Sequence, residues 1–261
     1  ADYLGVSYTK VAIAAAVPAV LYYLALFLSL HFEAKRLGLS GISRENLPRA
    51  GEVLKKGWHL LLPLLLLIGM MLAGFTPLLA AVCATIAVPL AAALRRETRM
   101  SLRAAYESLA EGARSAVSVG ITCMLIGVLV GTVSLTGVGL RLSEAIMRLS
   151  DFGGLYAAAL LSAVLCTVLG MGVPGVAAYV IVASVVAPTL VEAGAAPMAA
   201  HMFCLFYACL SNITPPVAIS AYVAGGIAGS DRTKTALLAV KLGLVGFLLP
   251  LFFLRNPALL W

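Results

Sequence analysis

Charge is scarce in this sequence. Only 11% of the 261 residues are charged, against 62% hydrophobic, and the mean hydropathy is +1.05. A water-exposed domain usually carries about a quarter charged residues, so most of this surface faces something other than water. Histidine occurs three times, and the five cysteines (Cys83, Cys123, Cys166, Cys204 and Cys209) all lie in apolar segments without a CxxC pair. They read as small packing residues rather than disulfides or metal ligands. No HExxH, no GxSxG and no acidic pair within an apolar run is present, so the sets needed for hydrolytic or acid–base chemistry are missing and the chain is not read as an enzyme. Ten-residue alternating segments are also lacking, which excludes a β-barrel. The net charge of +7 sits in short stretches between apolar runs rather than beside aromatics on one face, so no nucleic-acid partner is expected.

What is present is a series of apolar runs, each near the ~20 residues needed to cross a ~30 Å hydrocarbon core. They cover roughly 9–30, 57–73, 76–94, 115–137, 153–190, 198–229 and 235–254. The fold class is therefore an all-α polytopic membrane protein, and the lipid bilayer is its first partner. Val11–Leu30 is longer than a signal-peptide core and lacks a basic leader of the usual kind. Loops 31–56 and 95–114 hold most of the Lys and Arg and are expected on the cytoplasmic side. The turn 73–77 and the loop 138–152 then lie outside. His59 and His201 are read as interfacial or structural and Lys241 as snorkelling to the cytoplasmic interface. Tyr22, Tyr23, Tyr179, Tyr207 and Tyr222 are read as packing or interface residues, and Trp58 and Trp261 as interface anchors.

Two apolar runs are interrupted. LGMGVPGVAAY, residues 169–179, is rich in Gly around Pro174, and SNITPPVAISAY, residues 211–222, carries Pro215 and Pro216. Proline removes a backbone donor and disfavours helical geometry in the residue before it. The second run thus reads as one span broken into two half-helices. The first reads either as two ordinary spans or as a hairpin that enters from outside and turns back. Both choices return the chain to the same side, so charge does not separate them. The uncharged tip favours the hairpin, because non-helical backbone at membrane depth must be buried in protein or line a wet cavity.

Broken helices expose carbonyls at one half and amides at the other. The carbonyls suit Na⁺ and the amides suit an anionic group. Gly170, Gly172, Asn212, Ile213 and Thr214 are the candidate ion ligands. Gly172, Val173, Pro174, Ser211 and Asn212 are the candidate substrate contacts. Asn212 is expected to tie the second break to the tip of the first, and Thr214 to offer an oxygen ligand. Neither break contains Asp, Glu or Lys, which favours Na⁺ coupling over a proton relay; no other cofactor is expected. Helix packing alone, or a channel filter, would use similar chemistry.

The chain also echoes itself. GVSYTK at 5–10 and GSDRTK at 229–234 each precede a long apolar span, and the two spans run in opposite directions on the charge pattern. Residues 1–30 then read as the last helix of a preceding repeat. Residues 31–137 are scaffold and connecting helices, and 138–261 the transport region. That region holds hairpin 153–190, broken helix 198–229 and terminal helix 235–254. On this reading an N-terminal permease portion, including small-subunit-like helices, precedes residue 1.

The stretches ADYLGVSY, PAVLYYLALFLSLHFEAKRLGL, LGMGVPGVAAYVIVA, AAHMFCLFYACLSNITPPVAISAY and GIAGSDRTKTALLAVKLG carry a resemblance over nearly the whole chain. They resemble the C-terminal half of the fused, DctQM-like membrane permease of a tripartite ATP-independent periplasmic (TRAP) transporter, of the type associated with TAXI-class binding proteins. The resemblance implies a Na⁺-driven importer in the bacterial inner membrane that takes a substrate, by default a small carboxylate, from a periplasmic substrate-binding protein. It also implies one inverted repeat of an elevator-type transporter, with a reentrant helical hairpin and a discontinuous transmembrane helix. Gly170–Pro174 would be the hairpin tip and Ser211–Pro216 the unwound segment. Half of an elevator-type Na⁺/anion symporter that works without a binding protein is the alternative, and a non-transporting membrane scaffold a third.

Overall fold

The computed structural model describes residues 1–39, 41, 49–173 and 175–260, without the side chains of residues 50, 118, 119, 122, 123, 126, 129, 130, 133 and 134. Pro174 and Trp261, the Cys123 side chain, and residues 40 and 42–48 of the basic loop therefore lie outside the described residues. The described residues form an all-α bundle: α1 (Tyr8–Arg36), α2 (Ala50–Gly57), α3 (Leu62–Leu72), α4 (Pro77–Ala93), α5 (Leu102–Thr136), α6 (Val138–Gly170), α7 (Gly175–Glu192), α8 (Pro197–Leu210), α9 (Ile219–Ala228), α10 (Arg232–Leu242) and α11 (Leu244–Arg255). Among the described residues five helical stretches are long and apolar enough to span a bilayer: Tyr8–Arg36, Gly51–Leu72, Val138–Gly170, Gly175–Glu192 and Arg232–Arg255. This is a multi-pass membrane protein, in keeping with a bacterial inner membrane.

The chain divides into two compact units. The first comprises residues 1–12 and 34–119. Here Thr76 caps α4 by accepting from the Leu79 N–H at 3.4 Å, and Pro77 occupies the first turn, where its missing N–H costs nothing. Thr9 Oγ1 donates to the Met71 carbonyl at 3.1 Å, fastening the start of α1 to the end of α3. His59 is fully buried and its Nε2 lies 2.9 Å from Thr98 Oγ1, which itself donates to the Ala92 carbonyl. The shared hydroxyl has one proton, so His59 Nε2–H must be the donor. The Arg95 guanidinium donates to the carbonyls of Lys55 and Lys56 at 2.7 and 3.1 Å. The structural role read for His59 is a polar knot between these two turns.

Basic segment 95–114, read as a loop, is helical from Leu102 onward. Ser101 accepts from the Ala104 N–H at 3.1 Å as an N-cap, and Arg103 pairs with Glu107 one turn later at 2.8 Å. Such caps and i,i+4 pairs support a polar helix that hydropathy does not register.

The second unit comprises residues 13–33 and 120–261. Residues 138–152, read as an outer loop, belong to the first half of α6. The spacing explains it: Ile146 is fully buried, Leu142, Ser143, Met147 and Ser150 are half-buried on the same side, and Arg141, Glu144, Arg148 and Asp151 lie opposite or beside them. At Gly154 the backbone turns through φ 65°, ψ −165°, a conformation open in practice to glycine, and α6 resumes in a new direction.

The second half of α6 packs side by side with α7, and both pack on α8. Alanines dominate the contact (Ala158 and Ala159 in α6, Ala178 and Ala187 in α7, Ala199 and Ala208 in α8), which lets the backbones approach closely, as membrane helices require. More than half of α7 is buried, the largest share among the spans. Tyr179 Oη and His201 Nδ1, 2.9 Å apart, bridge α7 to α8. Tyr207 Oη donates to the Phe247 carbonyl at 2.6 Å, fixing α8 on α11. Lys241 does not simply snorkel: its Nζ lies 3.0 Å from Glu33 Oε2, joining α10 to α1 at a carboxylate only 13% exposed.

Candidate ion and substrate site at two helix interruptions

The first interruption begins where α6 ends at Gly170. Met171 is extended (ψ 130°) and Gly172 adopts φ +79°, a left-handed value that a side chain would strain. The Met171 and Val173 N–H groups reach back to the carbonyls of Val168 and Gly170 at 3.3 and 3.4 Å. α7 starts at Gly175.

The second interruption begins where α8 ends at Leu210. Ser211–Ile213 make a single 3₁₀ turn, Thr214 is extended (φ −92°, ψ 123°) as a residue before proline should be, and α9 begins at Ile219. α8 and α9 have 14 and 10 residues. At 1.5 Å per residue they reach about 21 and 15 Å, so neither alone spans a ~30 Å core.

The polar side chains of SNIT have a local duty. Ser211 Oγ donates to the Ala208 carbonyl at 2.7 Å and Thr214 Oγ1 to the Leu210 carbonyl at 2.8 Å; the Asn212 amide points at the carbonyls of Ala208 and Cys209, each at 3.5 Å. Together they add donors to the last carbonyls of α8, of which those of Tyr207 and Cys209 also accept from the Ser211 N–H. The amide of Asn212 thus serves its own helix. Among the described residues it is Ser211, fully buried, that reaches the first interruption. One donor is still missing. Pro215 and Pro216 have no N–H for the carbonyls of Ser211 and Asn212; Thr214 N–H serves the Ser211 carbonyl at 3.2 Å, but among the described residues nothing donates to that of Asn212. Tyr222 Oη donates to the Pro216 carbonyl at 2.7 Å and holds the loop against the start of α9.

The two interruptions touch. A Cβ on Gly170 would lie 2.7 Å from Ser211 Oγ and 3.1 Å from Ser211 Cβ, so only glycine admits this approach. The Cβ positions of Gly172 and Gly175 face Val217 Cγ1 at 3.5 Å and Cys209 Sγ at 3.6 Å. The C-terminal ends of α6 and α8 therefore converge at Gly170 and Ser211, and each carries the partial negative charge of a helix C-terminus. Residues 169–179 and 211–222 contain no Asp, Glu, Lys or Arg, and among the described residues no group of three His, Cys, Asp or Glu gathers anywhere. Among the described residues the junction offers backbone dipoles, hydroxyls and one amide.

Of the residues singled out from the sequence, Gly170, Gly172, Val173, Ser211, Asn212, Ile213 and Thr214 all sit at this junction, while Pro174 lies outside the described residues. Cys209, Val217 and Tyr222 join the site and were not anticipated there; Val217 and Tyr222 belong to the quoted stretch PPVAISAY, which was the available signal. Ile213 turns away from the first interruption, toward Gly243 (3.1 Å from its Cβ position) and an apolar recess of about 260 Å³ lined by Tyr22, Phe206 and Cys209.

An all-helical, multi-span membrane bundle with two helix interruptions pressed together defines the class. The chain belongs to the family described as tripartite ATP-independent periplasmic transporter, DctM component, whose model matches residues 1–260. It is therefore a membrane permease component of a TRAP transporter and not an enzyme. No curated protein matches the chain.

Proposed function

We propose that this chain is the C-terminal half of a fused, TAXI-associated TRAP permease, with residues 138–261 as its transport region. That permease is part of a Na⁺-driven importer that takes a small organic carboxylate from a periplasmic binding protein. The second half of α6 and α7 form a reentrant hairpin opening outward, and α8–α9 are the two arms of a discontinuous transmembrane helix; both move together in an elevator-like cycle. Na⁺ sits where the ends of α6 and α8 converge, among the carbonyls of Gly170, Gly172, Asn212 and Ile213 and the hydroxyl oxygen of Thr214, whose lone pairs remain available while its proton is donated to Leu210. Gly172, Val173, Ser211 and Asn212 line the substrate side, with Pro174 as the remaining candidate contact, and the N-terminal ends of α7 and α9 favour a carboxylate there.

The observation that carries this reading is the contact of Gly170 with Ser211. Two helix C-termini are brought together beside a carbonyl that, among the described residues, proline has left without its donor. A purely structural junction is the competing reading, and the capping of α8 by Ser211, Asn212 and Thr214 speaks for it. The two separate on uptake into proteoliposomes containing the complete permease, with and without a Na⁺ gradient and with and without its binding protein. Uptake that requires both supports the proposal. Uptake unaffected by removing Na⁺ removes the ion site, and uptake without a binding protein points to the symporter alternative.

A further inference from the structure

Three side chains converge on one bare strip of the last span, where α10 gives way to α11 at Gly243. A Cβ on Gly246 would lie 2.8 Å from Tyr22 Cε2 and 3.0 Å from Leu210 Cδ2. One on Gly243 would lie 3.1 Å from Ile213 Cδ1 and 3.9 Å from Tyr22 Oη. Residues 243–246, GLVG, thus form a notch that glycine alone leaves open. Into it fit the ring of Tyr22 from α1, the last residue of α8 and the last residue of the 3₁₀ turn Ser211–Ile213.

The second interruption is therefore gripped from two sides. Ser211 meets Gly170 of the first interruption, while Leu210 and Ile213, which flank Ser211 and Asn212 in sequence, meet the notch. Beside Ile213 lies the recess of about 260 Å³ lined by Tyr22, Leu205, Phe206, Cys209 and Leu210. It gives the turn room to shift once the ring is gone. α1 is kept in place along the last span by a second tie, the 3.0 Å ion pair of Glu33 with Lys241. Among the described residues the Tyr22 hydroxyl has no hydrogen-bond partner, so its contribution here is the ring.

We infer that Tyr22 is a positioning residue for the ion site. Its ring, wedged in the notch, holds the Ser211–Ile213 turn against Gly170 and so fixes the carbonyls of Asn212 and Ile213. It touches neither ion nor substrate and acts through Leu210 and Ile213. The inference rests on the Na⁺ site proposed above. Ligands of such a site have to be held to within ~0.5 Å by the residues they pack on.

The test is a Na⁺ titration of uptake by the complete permease with its binding protein in proteoliposomes, per folded protein, for wild type, Tyr22→Phe, Tyr22→Leu, Tyr22→Ala and Gly246→Ala. Tyr22→Ala should raise the Na⁺ half-saturation about tenfold, the lower end of what supporting residues contribute to metal affinity. Tyr22→Phe, which keeps the ring, should restore the wild-type value. Gly246→Ala, whose methyl displaces the ring, should raise the half-saturation too. Combined with Tyr22→Ala it should cost less than the product of the single effects, because the methyl takes up room that the ring vacates. If Tyr22→Ala does not fold, Tyr22→Leu and Gly246→Ala decide. Wild-type uptake that ignores Na⁺ removes the ion site and this role with it. A Na⁺-dependent wild type whose half-saturation is unchanged in the Tyr22 and Gly246 variants, with only the folded yield reduced, overturns this inference alone, as does a shift in Tyr22→Phe as large as that in Tyr22→Ala.

Discussion

Replacing Gly170 by alanine tests whether the two interruptions are built against each other. The added methyl would sit 2.7 Å from Ser211 Oγ and 3.1 Å from Ser211 Cβ. Rotating the Ser211 hydroxyl away relieves only the first contact, and it gives up the 2.7 Å bond to the Ala208 carbonyl, a loss of about 0.5–1.5 kcal/mol. The Cβ contact remains, because Ser211 is fully buried at the end of α8. The combined cost should be about 1–3 kcal/mol, the usual range for an extra methyl in a tight core. Alanine is a better helix former than glycine at the end of α6, so any propensity effect has the opposite sign. Ser211→Gly removes the obstructing side chain at the cost of its own hydrogen bond and of the extra backbone freedom of glycine in this turn. The double variant should therefore be more stable than the sum of the two single effects by about 1–2 kcal/mol. Thermal unfolding in nanodiscs of wild type, both singles and the double closes the cycle. Additive effects, or a neutral Gly170→Ala, would show that the two segments are not in contact and remove the basis of the site.

Three further outcomes concern other parts of the bundle. Tyr207→Phe should lose the bond to the Phe247 carbonyl and about 0.5–1.5 kcal/mol of stability while keeping its packing, measurable by the same unfolding assay. Lys241→Met removes the 3.0 Å ion pair with Glu33 and should lower stability in the same assay, with Glu33→Gln and Lys241→Met together costing less than the sum of the two single changes; additive effects would show that the pair contributes nothing. Cysteines placed at Arg99 and at Glu192, both exposed, should label from the cytoplasmic and the outer side respectively, and labelling of both from one side would overturn the orientation and the outward-opening hairpin.

How much could be read before the fold was known depended on how local the cause is. Helix ends at Gly170 and Leu210 follow from neighbouring glycines and prolines, and Thr214 is extended because Pro215 comes next. The partner of each interruption is not local. Gly170 meets Ser211 across forty residues of chain, and nothing in SNIT says that the serine reaches outward while the asparagine amide turns back to Ala208 and Cys209. Hydropathy also hid two helical stretches. Residues 102–114 are polar and supported by their own Ser101 cap and ion pairs, and residues 138–153 bury one face only, around Ile146. The Lys241–Glu33 pair, 208 residues apart in sequence, lay beyond any local signal.

The central claim is that the converging ends of α6 and α8 hold Na⁺. The most direct measurement is a Na⁺ titration of uptake by the complete permease with its binding protein in proteoliposomes, normalised to folded protein, for wild type, Thr214→Val and Asn212→Ala. Thr214→Val keeps the shape and removes the oxygen. It also removes the donor to the Leu210 carbonyl, so protein yield is recorded alongside. In Thr214→Val, loss of one charge-assisted contact, about 1.5–3 kcal/mol, should raise the Na⁺ half-saturation about ten- to hundredfold; Asn212→Ala keeps the backbone carbonyl and removes only the amide that caps α8, so it should shift the half-saturation less. Half-saturation unchanged in both variants, with only the yield of folded protein reduced, would contradict the claim and leave the junction a matter of helix packing.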